Sequence, residues 1–143
     1  MDNKEKKNPF KRVKNYIETY FYIDSNGYVF EESVNTFLQD DLRYEVTNYW
    51  ADRELMMQQA LREKLNRLLW RFSMENGGDD RPWDGHTYHY YIYKPYDSND
   101  PWTAWDVSGK DLGVVYFSSE DIARKAMIEI VFPFMEKHPE FVW

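Results

Sequence analysis

The first seventy-eight residues pass from a two-residue to a 3.6-residue hydrophobic period. Tyr20-Phe21-Tyr22-Ile23 is rich in aromatic and β-branched residues, Asp24-Ser25-Asn26-Gly27 interrupts it, and Tyr28-Val29-Phe30 resumes. This pattern predicts a β-hairpin, with Asn-Gly able to supply the positive φ angles of a type I′ turn. Asp40 and Asp41 read as a polar connection, after which Tyr44, Val46 and Tyr49 within Leu42–Trp50 predict a third strand. Met57, Leu61, Leu65, Leu68 and Phe72 then recur at spacings of four, four, three and four, with Leu69 widening the stripe. That stripe predicts a helix from Asp52 to about Asn76. Asn76-Gly77-Gly78 stops it, because glycine accepts the left-handed conformation that follows a helix.

The second half repeats the order after a polar link, Asp79–Asp84, that contains Pro82. Tyr88–Tyr93 predicts a strand, Asp97-Ser98-Asn99-Asp100-Pro101 a turn, Trp102–Val107 its partner, Ser108–Asp111 a second turn and Val114–Phe117 a further strand. Ser118-Ser119-Glu120-Asp121 opens a helix in the manner of a capping box, and Ile122, Ala123, Ala126, Met127, Ile130 and Val131 mark its buried face. Pro133 cannot donate to the helical ladder, so a kink or new turn is expected there, and His138-Pro139 closes the element. At a constant offset of 67, Tyr49-Trp50-Ala51-Asp52-Arg53-Glu54-Leu55 lies over Tyr116-Phe117-Ser118-Ser119-Glu120-Asp121-Ile122. The expected architecture is α+β: two pseudo-repeated β-hairpin, strand and helix units, with antiparallel sheet packed against two main helices. Residues 16–78 form unit one and 83–143 unit two of a single domain, 16–143, behind a basic N-terminal segment, 1–15.

A chain of 143 residues, 43% hydrophobic, with six Trp, twelve Tyr and nine Phe, can fill a core, which excludes disorder throughout. The longest nearly apolar stretch, Met127–Met135, contains Glu129 and Pro133 and falls far short of the ~20 residues that span a bilayer. No membrane partner is therefore expected. Cysteine is absent, excluding a disulfide scaffold and a thiolate zinc site. The N-terminal residues carry charge from Lys4 onward and lack an apolar signal segment, so the expected location is the cytosol of a bacterial host. The net charge of -7 is uneven, because residues 1–14 hold six basic and two acidic side chains, +4, leaving -11 for the rest. A body of that charge repels phosphate backbones and suits a protein with a basic surface, so no direct nucleic-acid binding is expected.

Candidate chemistry is sparse. His86 and His89 would point to opposite faces of a strand, with no third ligand at metal-site spacing. Asp97-Ser98-Asn99-Asp100 begins like a calcium loop but continues with Pro101 and Trp102 where an oxygen ligand and glycine belong. There is no nucleophile elbow, phosphate loop or dinucleotide-binding glycine run. Neither an enzyme nor a cofactor is expected. The candidate partner-binding residues are acidic, Glu31, Glu32, Asp40, Asp41, Asp79 and Asp80, and aromatic, Trp83, Tyr91, Tyr93, Tyr96, Trp102 and Trp105. Strand alternation must send some of these rings outward, and tyrosine and tryptophan are enriched in binding hot spots.

The order strand, D-S-N-G, strand, R-Y-E-V-T-N-Y-W, long helix and then V-V-Y-F-S-S-E-D-I-A-R-K-A resembles a loosely defined group of small proteins carried by bacteriophages and integrated mobile elements. The resemblance covers residues 16–135. Tyr116–Ala126 matches the group's strand-to-helix junction closely and Tyr49–Ala60 less well, with Ala51 standing where the group has a hydroxyl residue. The resemblance transfers no functional residue. It implies a small acidic accessory protein that acts stoichiometrically on host machinery, including inhibition of nucleic-acid-guided defence proteins. The expected function is thus non-catalytic occupation of a basic site on a bacterial nucleic-acid-handling protein, with electrostatic steering. The alternatives are a self-associating assembly factor, a homodimer through exposed aromatics, or a small-molecule sequestering module lined by Trp83, Trp102 and Trp105.

Overall fold

A computed structural model describes residues 8–13, 18–34 and 38–143; Lys4, Lys6, Lys7 and Lys14 of the basic segment lie outside them. The first hairpin forms as its residues predict: β1 (Thr19–Ile23) pairs antiparallel with β2 (Val29–Ser33), Ile23 opposite Val29. Its turn differs from the expected type I′. Only Gly27 takes a positive φ, 85°, Gly27 N–H donates to the Asp24 carbonyl at 3.0 Å, and the Asp24 carboxylate accepts from the N–H groups of Asn26 and Tyr28 at 3.0 and 2.8 Å. This is a type I turn closed by a glycine bulge. The side chain of Asp24 organises it, so Asn26 need not adopt the left-handed conformation.

The segment after this hairpin corrects the sequence reading. Leu38–Glu45 is a helix, α1, not a polar connection leading into a strand, and Asp40 and Asp41 occupy its first turn, where carboxylates suit the positive end of the helix dipole. The helix ends when Asn48 N–H donates to the Arg43 carbonyl and Thr47 N–H to that of Tyr44. That is a Schellman closure. Thr47 holds the position glycine usually takes, at φ 56°, where a β-branched side chain is strained. Of the expected third strand only one pair remains: Phe21 and Trp50 exchange both backbone hydrogen bonds, at 2.7 and 2.9 Å.

Helix α2 (Arg53–Glu75) fulfils its prediction almost to the residue. Asp52 caps it by accepting from Leu55 N–H at 3.0 Å, and Gly77 and Gly78, at φ 95° and 64°, close it with bonds to the Met74 and Ser73 carbonyls. The buried stripe is rotated from the expected one. Met56, Ala60, Leu65, Leu69 and Phe72 are buried, whereas Met57, Leu61 and Leu68 are only partly covered. The chain forms two compact units, residues 1–61 and 62–143, whose boundary falls within α2.

In the second unit β3 (His89–Tyr93) pairs antiparallel with β4 (Trp102–Asp106), Tyr93 opposite Trp102. The strand expected over Val114–Phe117 is again reduced to one pair, Phe117 with Tyr90, while the Tyr116 carbonyl accepts from the buried Ser73 hydroxyl at 2.7 Å. Ser119 then caps α3 (Glu120–Ala126) by accepting from Ile122 N–H at 3.2 Å. Ile122 holds the third helical position, so the expected capping box has only its serine half. Pro133 has the anticipated effect. Met127–Val131 is a π-helical turn in which Phe132 N–H reaches the Met127 carbonyl, and α4 (Phe132–Lys137) starts anew with proline in its first turn. In an uninterrupted α-helix the proline would leave the Glu129 carbonyl without a donor and press its ring against it, and the widened turn takes up that mismatch.

The architecture is α+β, with two two-stranded antiparallel sheets, and the offset of 67 holds at the level of individual hydrogen bonds. Trp50 and Phe117 are the bridging residues, Asp52 and Ser119 the caps, Tyr49 and Tyr116 the buried rings before each bridge, and Met56 and Ala123 the buried positions in the first helical turn. The same unit is built twice. No helix among the described residues is long and apolar enough to cross a membrane.

Candidate functional site

The position before each bridging residue of the central strand is fully buried: Tyr20 in the first unit and His89 in the second, each at 0% exposure. Burying a polar side chain there requires hydrogen-bond partners, and each unit supplies an aspartate and an arginine. His89 Nδ1 lies 2.7 Å from Asp79 Oδ2 and Nε2 lies 3.1 Å from the Pro82 carbonyl. Arg81 Nε donates to the other Asp79 oxygen at 2.8 Å, and its Nη2 reaches the Tyr88 carbonyl at 2.6 Å. Trp83 stacks on the imidazole at 3.7 Å and 10°, and Tyr116 meets it edge-on. Both ring nitrogens lie at hydrogen-bonding distance from an oxygen, one of the carboxylate and one of the carbonyl. Burial alone would raise the Asp79 carboxyl, but the hydrogen bonds from Arg81 and His89 outweigh it and hold the group below its ordinary value. With both nitrogens engaged and no exposed edge, His89 fastens the link to the hairpin and presents no free nitrogen to a ligand.

The first unit reaches the same result with different elements. Tyr20 Oη donates to Asp40 Oδ1 at 2.6 Å and accepts from Arg43 Nη1 at 2.7 Å, while the guanidinium lies 3.7 Å from the Tyr22 ring centre, a cation–π contact. Tyr49 stacks on Tyr20 at 4.0 Å and 14°. Burial, and then the hydrogen bond to Asp40, push the Tyr20 hydroxyl up to about 12. Asp40 and Asp79 were expected on a partner-binding surface; both are buried structural acids, placed there because an aromatic strand residue needs their oxygen. The other acidic candidates divide. Glu31 and Asp80 are exposed, Glu32 lies 4.0 Å from Arg43, and Asp41 pairs with Arg12.

The aromatic candidates also separate. Directly opposed residues share a face of the sheet, so Tyr91 and Tyr93 lie with Trp102 on the His89 side, and Tyr88 and Tyr90 with Trp105 on the reverse. Tyr91 is half-buried against Tyr116, and its covered hydroxyl is raised. Trp105 touches Tyr88 at 4.5 Å, with 55% and 48% exposure, and Tyr96 in the connection is fully exposed. Trp83 is occupied by His89, and Trp102 and Trp105 face opposite ways, so the three tryptophans do not converge on a pocket as expected. Tyr88 was not singled out from the sequence, although its parity with Tyr90 places it on the Trp105 face.

Asp84 sets up this hairpin. Its carboxylate accepts from Thr87 and His86 N–H at 2.8 and 2.9 Å, and these bonds bring it down to about 2. Among the described residues no group of three His, Asp or Glu side chains could hold a metal ion. Compared with protein-family models, curated proteins and solved structures, the chain matches none.

Proposed function

We propose that the chain is a non-catalytic binding protein whose second hairpin engages a protein partner with a basic surface, a bacterial nucleic-acid-handling protein in the setting that the resemblance to phage and mobile-element proteins implies. The observation that carries this reading is the half-exposed Trp105–Tyr88 pair on the face of β3–β4 turned away from His89. Adjacent exposed rings on a paired strand offer large contact area at low entropy cost, as binding hot spots do. The net charge of -7 supports a basic partner, because it speeds encounter with positive surfaces and repels nucleic acid.

The test is capture from nuclease-treated bacterial lysate at low and high salt, followed by calorimetry on the purified pair. Trp105→Ala is expected to weaken the complex by about 2 kcal/mol, roughly 30-fold in Kd, and raised salt to weaken it further. A complex indifferent to both would refute the reading. Self-association is a second reading with its own observation: Tyr90 spends its N–H and C=O on Phe117, so alternation turns those of Thr103 and Trp105 toward the outer edge of β4. Concentration-dependent dimerisation in sedimentation, lost in a Thr103→Pro variant that still folds, would favour it.

A further inference from the structure

The two units differ at one edge. In the first, the segment opposite β1 bonds Phe21 through the Trp50 backbone, and two residues earlier Asn48 continues the pairing with its side chain. Asn48 Oδ1 accepts from Ile23 N–H at 2.8 Å and Nδ2 donates to the Ile23 carbonyl at 2.7 Å. A carboxamide stands in for a peptide unit of the missing strand. In the second unit Phe117 bonds Tyr90, and residues two apart on a strand direct their backbone groups to the same edge, so the N–H and C=O of Ile92 point where those of Ile23 do. The offset of 67 makes Val115 the counterpart of Asn48, and the antiparallel register continued from the Tyr90–Phe117 pair sets it opposite Ile92. The valine side chain has nothing to donate or accept there, and no described group bonds the Ile92 N–H or C=O on that edge.

Beside this edge is an open cavity of about 180 Å³ lined by Ile92 and Val114–Val115, by the apolar Leu65, Leu69 and Phe117, and by the polar Arg62 and Asn66. An apolar cavity of roughly 150 Å³ accommodates benzene. We infer that this cavity is a binding site for a small primary carboxamide, whose amide pairs with the Ile92 N–H and C=O as the Asn48 side chain pairs with Ile23, and whose apolar body fills the space beside Leu65 and Leu69. Both backbone groups of Ile92 are then satisfied, in line with the near-complete pairing of covered backbone polar groups. The inference does not depend on the partner-binding reading, since Trp105 and Tyr88 take no part in it.

Benzamide titrated into the ¹⁵N-labelled protein is expected to shift the Ile92 and Val115 amide resonances saturably. Acetophenone, of the same shape but with a methyl in place of the amide nitrogen, is expected to bind at least tenfold more weakly. Val115→Asn supplies the amide from within the chain, so exchange of the Ile92 amide hydrogen should slow at least tenfold and the benzamide shifts should vanish. Val115→Leu, which fills the space without an amide, should abolish the benzamide shifts and leave Ile92 exchange unchanged, and it serves where Val115→Asn fails to fold. Equal responses to benzamide and acetophenone, or no benzamide response at Ile92 at millimolar concentration, would overturn the assignment.

Discussion

Asp79→Asn lowers the stability of the protein by about 3 kcal/mol, the scale of breaking a buried ion pair, and its melting temperature by about 10 °C for a chain of this size. The substitution keeps the shape of the side chain but removes the charge that accepts from Arg81 Nε and faces His89 Nδ1, at a site where the carboxylate is 2% exposed. The pH dependence identifies the cause. Because the Asp79 carboxyl is held below its ordinary value of 3.8 in the fold, the unfolded chain takes up that proton first as pH falls. The carboxylate's contribution is therefore complete above about pH 5 and disappears as the pH drops through the folded value. Urea melts should show a constant gap between wild type and variant at neutral pH and a narrowing gap below about pH 4. A gap that stays unchanged into acid would assign the effect to packing instead.

Tyr20→Phe is expected to cost about 2 kcal/mol although it removes one oxygen and no volume, because it withdraws a donor from the buried Asp40 and an acceptor from Arg43. Its signature is alkaline. The Tyr20 hydroxyl is raised from 10.0 to about 12 in the fold, so its share of the stability is whole below about pH 10 and is lost as pH climbs toward 12. Denaturant midpoints taken across that range should fall more steeply for wild type than for the variant. A loss under about 0.5 kcal/mol, or parallel slopes, would show that the hydroxyl is not held as the geometry indicates.

What could be read from the residues follows from how local each determinant is. Helix α2 was legible because period, cap and glycine stop all lie within the segment, and both hairpins because their turn residues announce them. Helix α1 was not, since Tyr44, Val46 and Thr47 favour strand and the stop is a threonine at φ 56° where glycine would have signalled it. In each unit the expected third strand is a single bridge. In the first unit the Asn48 N–H, which would face β1, is claimed by the Arg43 carbonyl, and no propensity reveals a competing bond.

At the site, abundance misled: six acidic candidates read alike, yet Asp40 and Asp79 are drawn inside by rings twenty and ten residues away. A local signal was present. Each buried aspartate has an arginine two or three positions on, Arg81 and Arg43, as does the half-exposed Asp41, so the signal narrows the six candidates to three. Exposure of individual rings on β3 and β4 follows from alternation only once the register is known, which is why Tyr88 is not among the candidate binding residues; Trp83 lies in the link before β3, where alternation gives no guidance.

Native-state amide hydrogen exchange, resolved by residue, tests most directly the central claim that one hairpin, bridge and capped-helix unit is built twice. The bridging amides Phe21 and Trp50 in one unit and Tyr90 and Phe117 in the other, together with the capped amides Leu55 and Ile122, should all exchange far more slowly than in an unfolded chain. Protection of one set with unfolded-chain exchange at the equivalent positions of the other, Tyr90 for Phe21, Phe117 for Trp50 and Ile122 for Leu55, would contradict the claim.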